Sequence, residues 1–170
     1  TLFGVTYVCV APEHPLVPAL TAAGREKAVS DYIAAAASKS DMERTDATKT
    51  RAGVDTGSFA THPVTGARLP VWVADYVIGG YGSGAVMAVP AHDARDAEFA
   101  AAHGLPVVDV VRPVEGGDGG GGEPSAGPFT DDGVVFGSSA PALDLNGLSS
   151  ADARTAVASH LESTNSGGPR

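Results

Sequence analysis

The stretch from Gly80 to Ala100, GYGSGAVMAVPAHDARDAEFA, constrains this chain more than any other. Glycines and a tyrosine lead into a short apolar run, which ends at Pro90 in front of His92, Asp93, Arg95 and Asp96. Glycine reaches the backbone angles of tight turns, and AVMAV suits a buried strand. Proline denies the ladder a donor, so the strand stops there. The residues beyond it predict a helix over 93–103, with Asp93 or His92 near its N-cap and Gly104 as its C-terminal stop. Taken alone, Asp93, Arg95 and Asp96 can be a capped, solvated helix start with local ion pairs. The same charges, set behind a turn and a buried strand, can also line a site.

The remainder of the chain is uneven. LFGVTYVCVA at residues 2–11 reads as a strand, ended by the two prolines of APEHP. The Ala-rich stretch 16–39 carries Leu16, Leu20, Ala28, Tyr32 and Ile33 at roughly helical spacing and predicts a helix with a weak point at Gly24. SDMERTDATKTRA, residues 40–52, predicts a short helical or loop crossing. Strands are expected from Asp55 to Val89, with HPVTG as a tight turn and LPVWVADYVI as a buried strand. EGGDGGGGEPSAG, residues 115–127, lacks apolar side chains and predicts a disordered surface loop. FTDDGVVFGSS suggests a short strand pair. A last helix, capped by Ser149 or Ser150, runs to about Leu161 with Ala153, Val157 and Leu161 on one face. Strands outnumber helices and helices lie between them, so one mixed α+β domain over residues 1–170 is expected.

Charge and motif content narrow the chemistry. A net charge of −9 gives the chain no basic face with which to hold nucleic acid by itself. Every apolar run is broken by Pro, Gly or charge well short of a membrane span. The single cysteine, Cys9, permits no internal disulfide, suits a reducing compartment and sits in an apolar run as core. Gly80, Gly82 and Ala85 fit G-x-G-x-x-A, but that fingerprint needs a helix after it, and AVMAVP is a strand. His92, Asp93 and Asp96 invite a metal-site reading, yet His14, His62, His103 and His160 are scattered and supply no partner at ligand spacing. No G-x-S-x-G nucleophile elbow occurs.

Longer wording carries further than any of these. TLFGVTY, GVDTGSFATHPVTGARLPVWVADYV and GYGSGAVMAVPAHDARDAEFA, in that order, closely resemble the editing (CP1) domain of leucyl-tRNA synthetases of the bacterial and organellar type. The resemblance runs from Thr1 to about Pro106 and resumes at PFTDDGVVFGSS and LNGLSSADARTAV. It implies a β-barrel core flanked by helices. It also implies post-transfer editing: hydrolysis of the ester joining isoleucine, norvaline, methionine or a similar wrong amino acid to the 3′-terminal adenosine of tRNA(Leu).

The resemblance assigns roles residue by residue. Asp96, the second aspartate of HDxRD, anchors the substrate α-ammonium. Tyr81 lines the pocket, Met87 and Val89 shape the part that takes the side chain, and Thr1 narrows it so that leucine is excluded. Asp93 and Arg95 orient Asp96 or meet the adenosine end. His92 is grouped with the substrate-binding residues; apart from the resemblance, it is the only candidate for a general base, and its position alone does not qualify it. The implied partners are the charged tRNA end and the rest of a synthetase, with no membrane. The implied reaction uses no metal or cofactor, since ATP and magnesium serve the parent enzyme at a separate site. The implied compartment is the bacterial cytoplasm, or the mitochondrion or chloroplast of a eukaryote. The family places a threonine-rich stretch ending in Arg-Pro-Asp before the position of Thr1, and this sequence begins after it. Two alternatives stay open: a catalytically incomplete piece that only binds tRNA ends or a partner, and a metal hydrolase built on His92, Asp93 and Asp96.

Overall fold

The continuously apolar Tyr7–Val10 (β1) is a short strand in the interior of a sheet. It pairs in parallel with Arg68–Ala74 (β3) and antiparallel with Ala85–Ala88 (β4), and Gly53–Thr61 (β2) lies outside β3. The strand order is β2-β3-β1-β4. The computed structural model describes residues 1–45, 52–114 and 127–168. The expected glycine loop, apart from Gly127, and residues 46–51 of the polar crossing lie outside them.

Both sheet faces are covered, which explains why VCV and VWVA are almost continuously apolar. Tyr7, Cys9 and Ala88 pack on one face with Phe99 and Ala100 of the helix Ala94–His103 (α4). Val10, Val71 and Val73 pack on the other with Val17 of Val17–Leu20 (α1) and Val29 of Glu26–Ala37 (α2). The polar crossing is helical over Asp41–Thr45 (α3). A second, smaller core joins Val110, Val111, Val135, Leu145 and Ala153. It is built from the ribbons Val111–Arg112 (β5) with Val134–Val135 (β6) and Ser139–Ala140 (β7) with Leu143–Asp144 (β8), closed by the helix Ser150–Ser163 (α5).

Three expectations change. Leu2–Gly4 is a 3-10 turn rather than the start of the first strand. The turn is closed by the Gly4 amide donating to the Thr1 carbonyl at 2.8 Å and the Val5 amide to the Leu2 carbonyl at 3.3 Å. It ends on glycine because a Cβ there would lie 2.9 Å from Val110 Cγ2 and 3.0 Å from the Val108 carbonyl oxygen. The single helix over 16–39 is two, because Gly24 sits at φ +86° and the Ala22 amide donates to the Thr56 carbonyl at 2.8 Å, tying the break to β2. The expected pair within FTDDGVVFGSS is instead two strands, β6 and β7, each pairing elsewhere. The architecture is mixed α+β. Among the described residues β2 and β4 are open edges with no pairing between them, so the closed barrel expected from the resemblance is not seen. Among the same residues no helix is long and apolar enough to cross a membrane.

Candidate active site

The site grows from the exit of β4. The Val89 carbonyl accepts from the His92 and Asp93 amides at 2.9 and 3.0 Å, which turns the chain into α4. Of the two cap candidates, Asp93 takes the role. Its backbone is extended, and its carboxylate accepts from the Arg95 and Asp96 amides at 2.8 and 3.3 Å. The Arg95 guanidinium folds back on the same carboxylate at 3.1 Å. Partial burial pushes the Asp93 carboxyl up, but Arg95 and these amides outweigh it and hold the group below its usual range. Gly104 closes the helix at φ +65°.

Asp96, one turn in, is 7% exposed. Its Oδ2 accepts from the Val89 amide at 2.8 Å and its Oδ1 from the Tyr76 hydroxyl at 3.1 Å. Its backbone carbonyl accepts from the Tyr7 hydroxyl at 2.9 Å. Desolvation raises the Asp96 pKa above the ordinary aspartate value. The Val89 amide pulls the other way, the neighbouring Asp93 charge adds to the rise, and Tyr76 and Arg95 offset part of it. Each carboxylate oxygen has two lone pairs, so one on each remains for a cation.

Asp96 borders a cleft of about 310 Å³ whose other walls include Tyr76, Tyr81, Val86, Met87 and Arg95. Tyr81, on the glycine turn, is 86% exposed. The turn is held at its base by residues that sequence reasoning missed. Glu13 accepts from the Gly79 amide at 2.8 Å, and the buried Arg44 donates to both Glu13 oxygens at 3.3 and 3.2 Å. Arg44 also donates to the Asp75 and Val77 carbonyls, both at 2.8 Å. Tyr76, also missed, had one faint signal: a polar tip in the apolar run ADYVI. Glu13 and Arg44 lie 31 residues apart and had none.

Thr1 lies elsewhere. It borders a mostly apolar groove of about 330 Å³ with Leu2, Val5, Met87, Val89 and Val157. Met87, 56% exposed, borders both cavities, so Thr1 and Asp96 line two neighbouring clefts and do not share a single cavity. His92 belongs to neither. Its Nε2 accepts from the Val110 and Val111 amides at 3.0 and 3.2 Å, which puts the proton on Nδ1, where it is donated to the Phe129 carbonyl at 2.8 Å. No lone pair remains for proton abstraction, so the ring fastens loops together. Among the described residues no three His, Cys, Asp or Glu side chains converge to hold a metal ion. Cys9 is buried, and burial pushes its thiol up to about 12, which makes it inert core.

With this geometry in place, the relatives of the chain can be read. The family model described as "Leucyl-tRNA synthetase, editing domain" matches residues 1–162. A leucine–tRNA ligase of Sorangium cellulosum is 48% identical over 98% of this chain and 19% of its own length. One of Treponema pallidum is 46% identical over 100% of this chain and 20% of its own. The structure of a ternary complex of Agrobacterium radiobacter K84 agnB2 LeuRS with tRNA and LeuAMS superposes with a TM-score of 0.68. It is 30% identical and is matched over 99% of this chain and 16% of the other. The chain thus spans about a fifth of the length of the curated relatives it matches. Matched along nearly its whole length, this chain belongs to the leucyl-tRNA synthetase editing-domain family.

Proposed function

We propose that this domain performs post-transfer editing, hydrolysing the ester of isoleucyl-, norvalyl-, methionyl- or similarly mischarged tRNA(Leu) as part of a synthetase. One observation carries the reading: a nearly buried Asp96 carboxylate, held by two donors, opens on a cleft walled by Tyr81 and Met87. A buried carboxylate of this kind suits an α-ammonium, because each charge supplies what the other needs out of water. The amino end sits at Asp96 and the side chain passes Met87 toward Val89 and Thr1. Thr1 limits that groove so that leucine does not fit. The logic is a second sieve. One methylene is worth only about 1–3 kcal/mol in an apolar pocket, too little for a single synthetic site to reject near-isosteres of leucine.

Arg95, kept in place by Asp93, faces the adenosine end from the rim of the same cleft. Water attacks the ester carbonyl, the bond from that carbon to the ribose oxygen breaks, and the ribose hydroxyl leaves with a proton. His92 has no lone pair to offer this step, so placing the ester beside water supplies much of the acceleration. The reaction draws on no cofactor. ATP and magnesium act at a separate site of the parent enzyme, in a bacterial cytoplasm or an organelle.

Two variants of the whole synthetase test the reading. Asp96→Ala abolishes deacylation of isoleucyl-tRNA(Leu), and Thr1→Ala lets correctly charged leucyl-tRNA(Leu) be hydrolysed. Normal clearance by the first, or full survival of leucyl-tRNA(Leu) with the second, refutes the corresponding role.

A further inference from the structure

Asp96 is oriented by a residue from outside its own helix. Tyr76 follows β3, and its hydroxyl reaches Asp96 Oδ1 at 3.1 Å across the buried face of the sheet. Tyr76 is 8% exposed, its ring lies 5.7 Å from that of Phe99, and the same hydroxyl is 3.6 Å from Cys9 Sγ. The Val89 amide holds the other carboxylate oxygen. Two donors on separate segments therefore set the plane of the carboxylate, which one donor would leave free to rotate.

We propose that the Tyr76 hydroxyl is a positioning group for editing, fixing the Asp96 carboxylate in the orientation that receives the substrate ammonium. The inference rests on the reading of Asp96 as that anchor. Several groups face Asp96. Asp93 and Arg95 come from its own helix, Tyr7 and Cys9 from β1, and Tyr76 from the segment after β3. Asp93 disfavours the Asp96 charge, Arg95 favours it through space, and Tyr76 favours it by donating a hydrogen bond. Burial drives the Tyr76 phenol well above its usual range, so it stays protonated as a donor at every working pH. The hydroxyl thus does two things at once: it orients the anchor and helps to keep it ionised.

The test is the pH profile of single-turnover isoleucyl-tRNA(Leu) deacylation by the synthetase that carries this domain. Tyr76→Phe removes the donor and should move the acid limb upward by about one pH unit. Replacing Tyr76 with 3-fluorotyrosine, which fills the same space with a more acidic phenol, should move the limb downward. Opposite shifts support the role, and limbs that coincide with the wild type in both variants overturn it. Asp96→Asn separates the two readings. If Asp96→Asn abolishes deacylation while the limbs stay put, only the Tyr76 role fails; if Asp96→Asn deacylates normally, the anchor itself fails.

Discussion

His92→Ala decides whether the histidine of the HDxRD motif is a reactive group or a fastener. The imidazole makes three hydrogen bonds, two from the Val110 and Val111 amides and one to the Phe129 carbonyl. These partners lie 18 to 37 residues away, so the ring joins the start of α4 to two segments of the smaller core. A buried backbone group left unpaired costs about 1–3 kcal/mol. The ring is only half-buried and water reaches part of the gap, so the low end applies, about 3 kcal/mol for the three groups together. For a chain of this size, each kcal/mol moves Tm by roughly 2–4 °C, so His92→Ala should lower Tm by roughly 6–12 °C. His92→Gln, whose amide can both donate and accept, should fall between. Thermal unfolding followed by circular dichroism gives the shifts, and deacylation measured well below either Tm gives the activity. An unchanged Tm with deacylation lost would refute the fastening role and return His92 to the chemistry.

Two further predictions concern charge. The Glu13 carboxyl is pushed up by partial desolvation, but the Gly79 amide and Arg44 outweigh this and hold it below its usual value. A depressed carboxylate contributes stability above the ordinary glutamate range and loses it as pH falls through the folded value. Glu13→Gln should therefore flatten the acid side of a Tm-against-pH curve, and the loosened Tyr81 turn should raise KM more than it lowers kcat. Asp96 has the opposite sign. Its pKa is raised in the fold, so its ionised form works against stability at neutral pH; the penalty shrinks as pH falls through the folded value and is gone below the ordinary aspartate value. Asp96→Asn should remove this fall in stability between acid and neutral pH, whatever its offset in Tm from the lost acceptor, while ending deacylation; a Tm-against-pH curve parallel to the wild type contradicts the assignment.

Local rules exposed the parts of the site that are local. The glycine turn, β4, the Asp93 cap and the Gly104 stop each depend on residues within a few positions and appear where the sequence puts them. But β4 is an edge strand with Val86 and Met87 exposed and not the buried strand expected, because no strand pairs beyond it among the described residues. Failures came where a distant partner decides. Leu2–Gly4 has the composition of a strand but closes a turn, with Val108 and Val110, more than a hundred residues on, packed so near Gly4 that no Cβ fits there. The break at Gly24 needed Thr56 to capture the Ala22 amide. Tyr76, Arg44 and Glu13 contact the site across 20 to 66 residues, a range over which periodicity carries no signal. His92 looked like a base because sequence shows the imidazole and hides the amides that occupy it.

The position of Met87 gives the arrangement its logic. An ammonium anchor sees the same group on every aminoacyl ester, so it contributes grip without discrimination. A side-chain gauge must do the reverse, giving nothing to the unbranched or β-branched acyl groups it admits and clashing with the γ-branched one it rejects. If both tasks shared one surface, any change that tightened the gauge would disturb the grip. The two tasks are divided, on the proposed reading, between the Asp96 cleft and the Thr1 groove, which share Met87 among their lining residues, an unbranched side chain able to adapt its shape. On the proposed reading, substitutions at Thr1 change which esters survive while leaving the rate for isoleucyl esters nearly intact. Those at Asp96 lower the rate for every ester by a similar factor. Deacylation rates for isoleucyl, norvalyl and leucyl esters, compared across the two variants, should therefore separate into one pattern of changed ratios and one of uniform loss. A uniform loss from Thr1→Ala would show that grip and gauge are one surface after all.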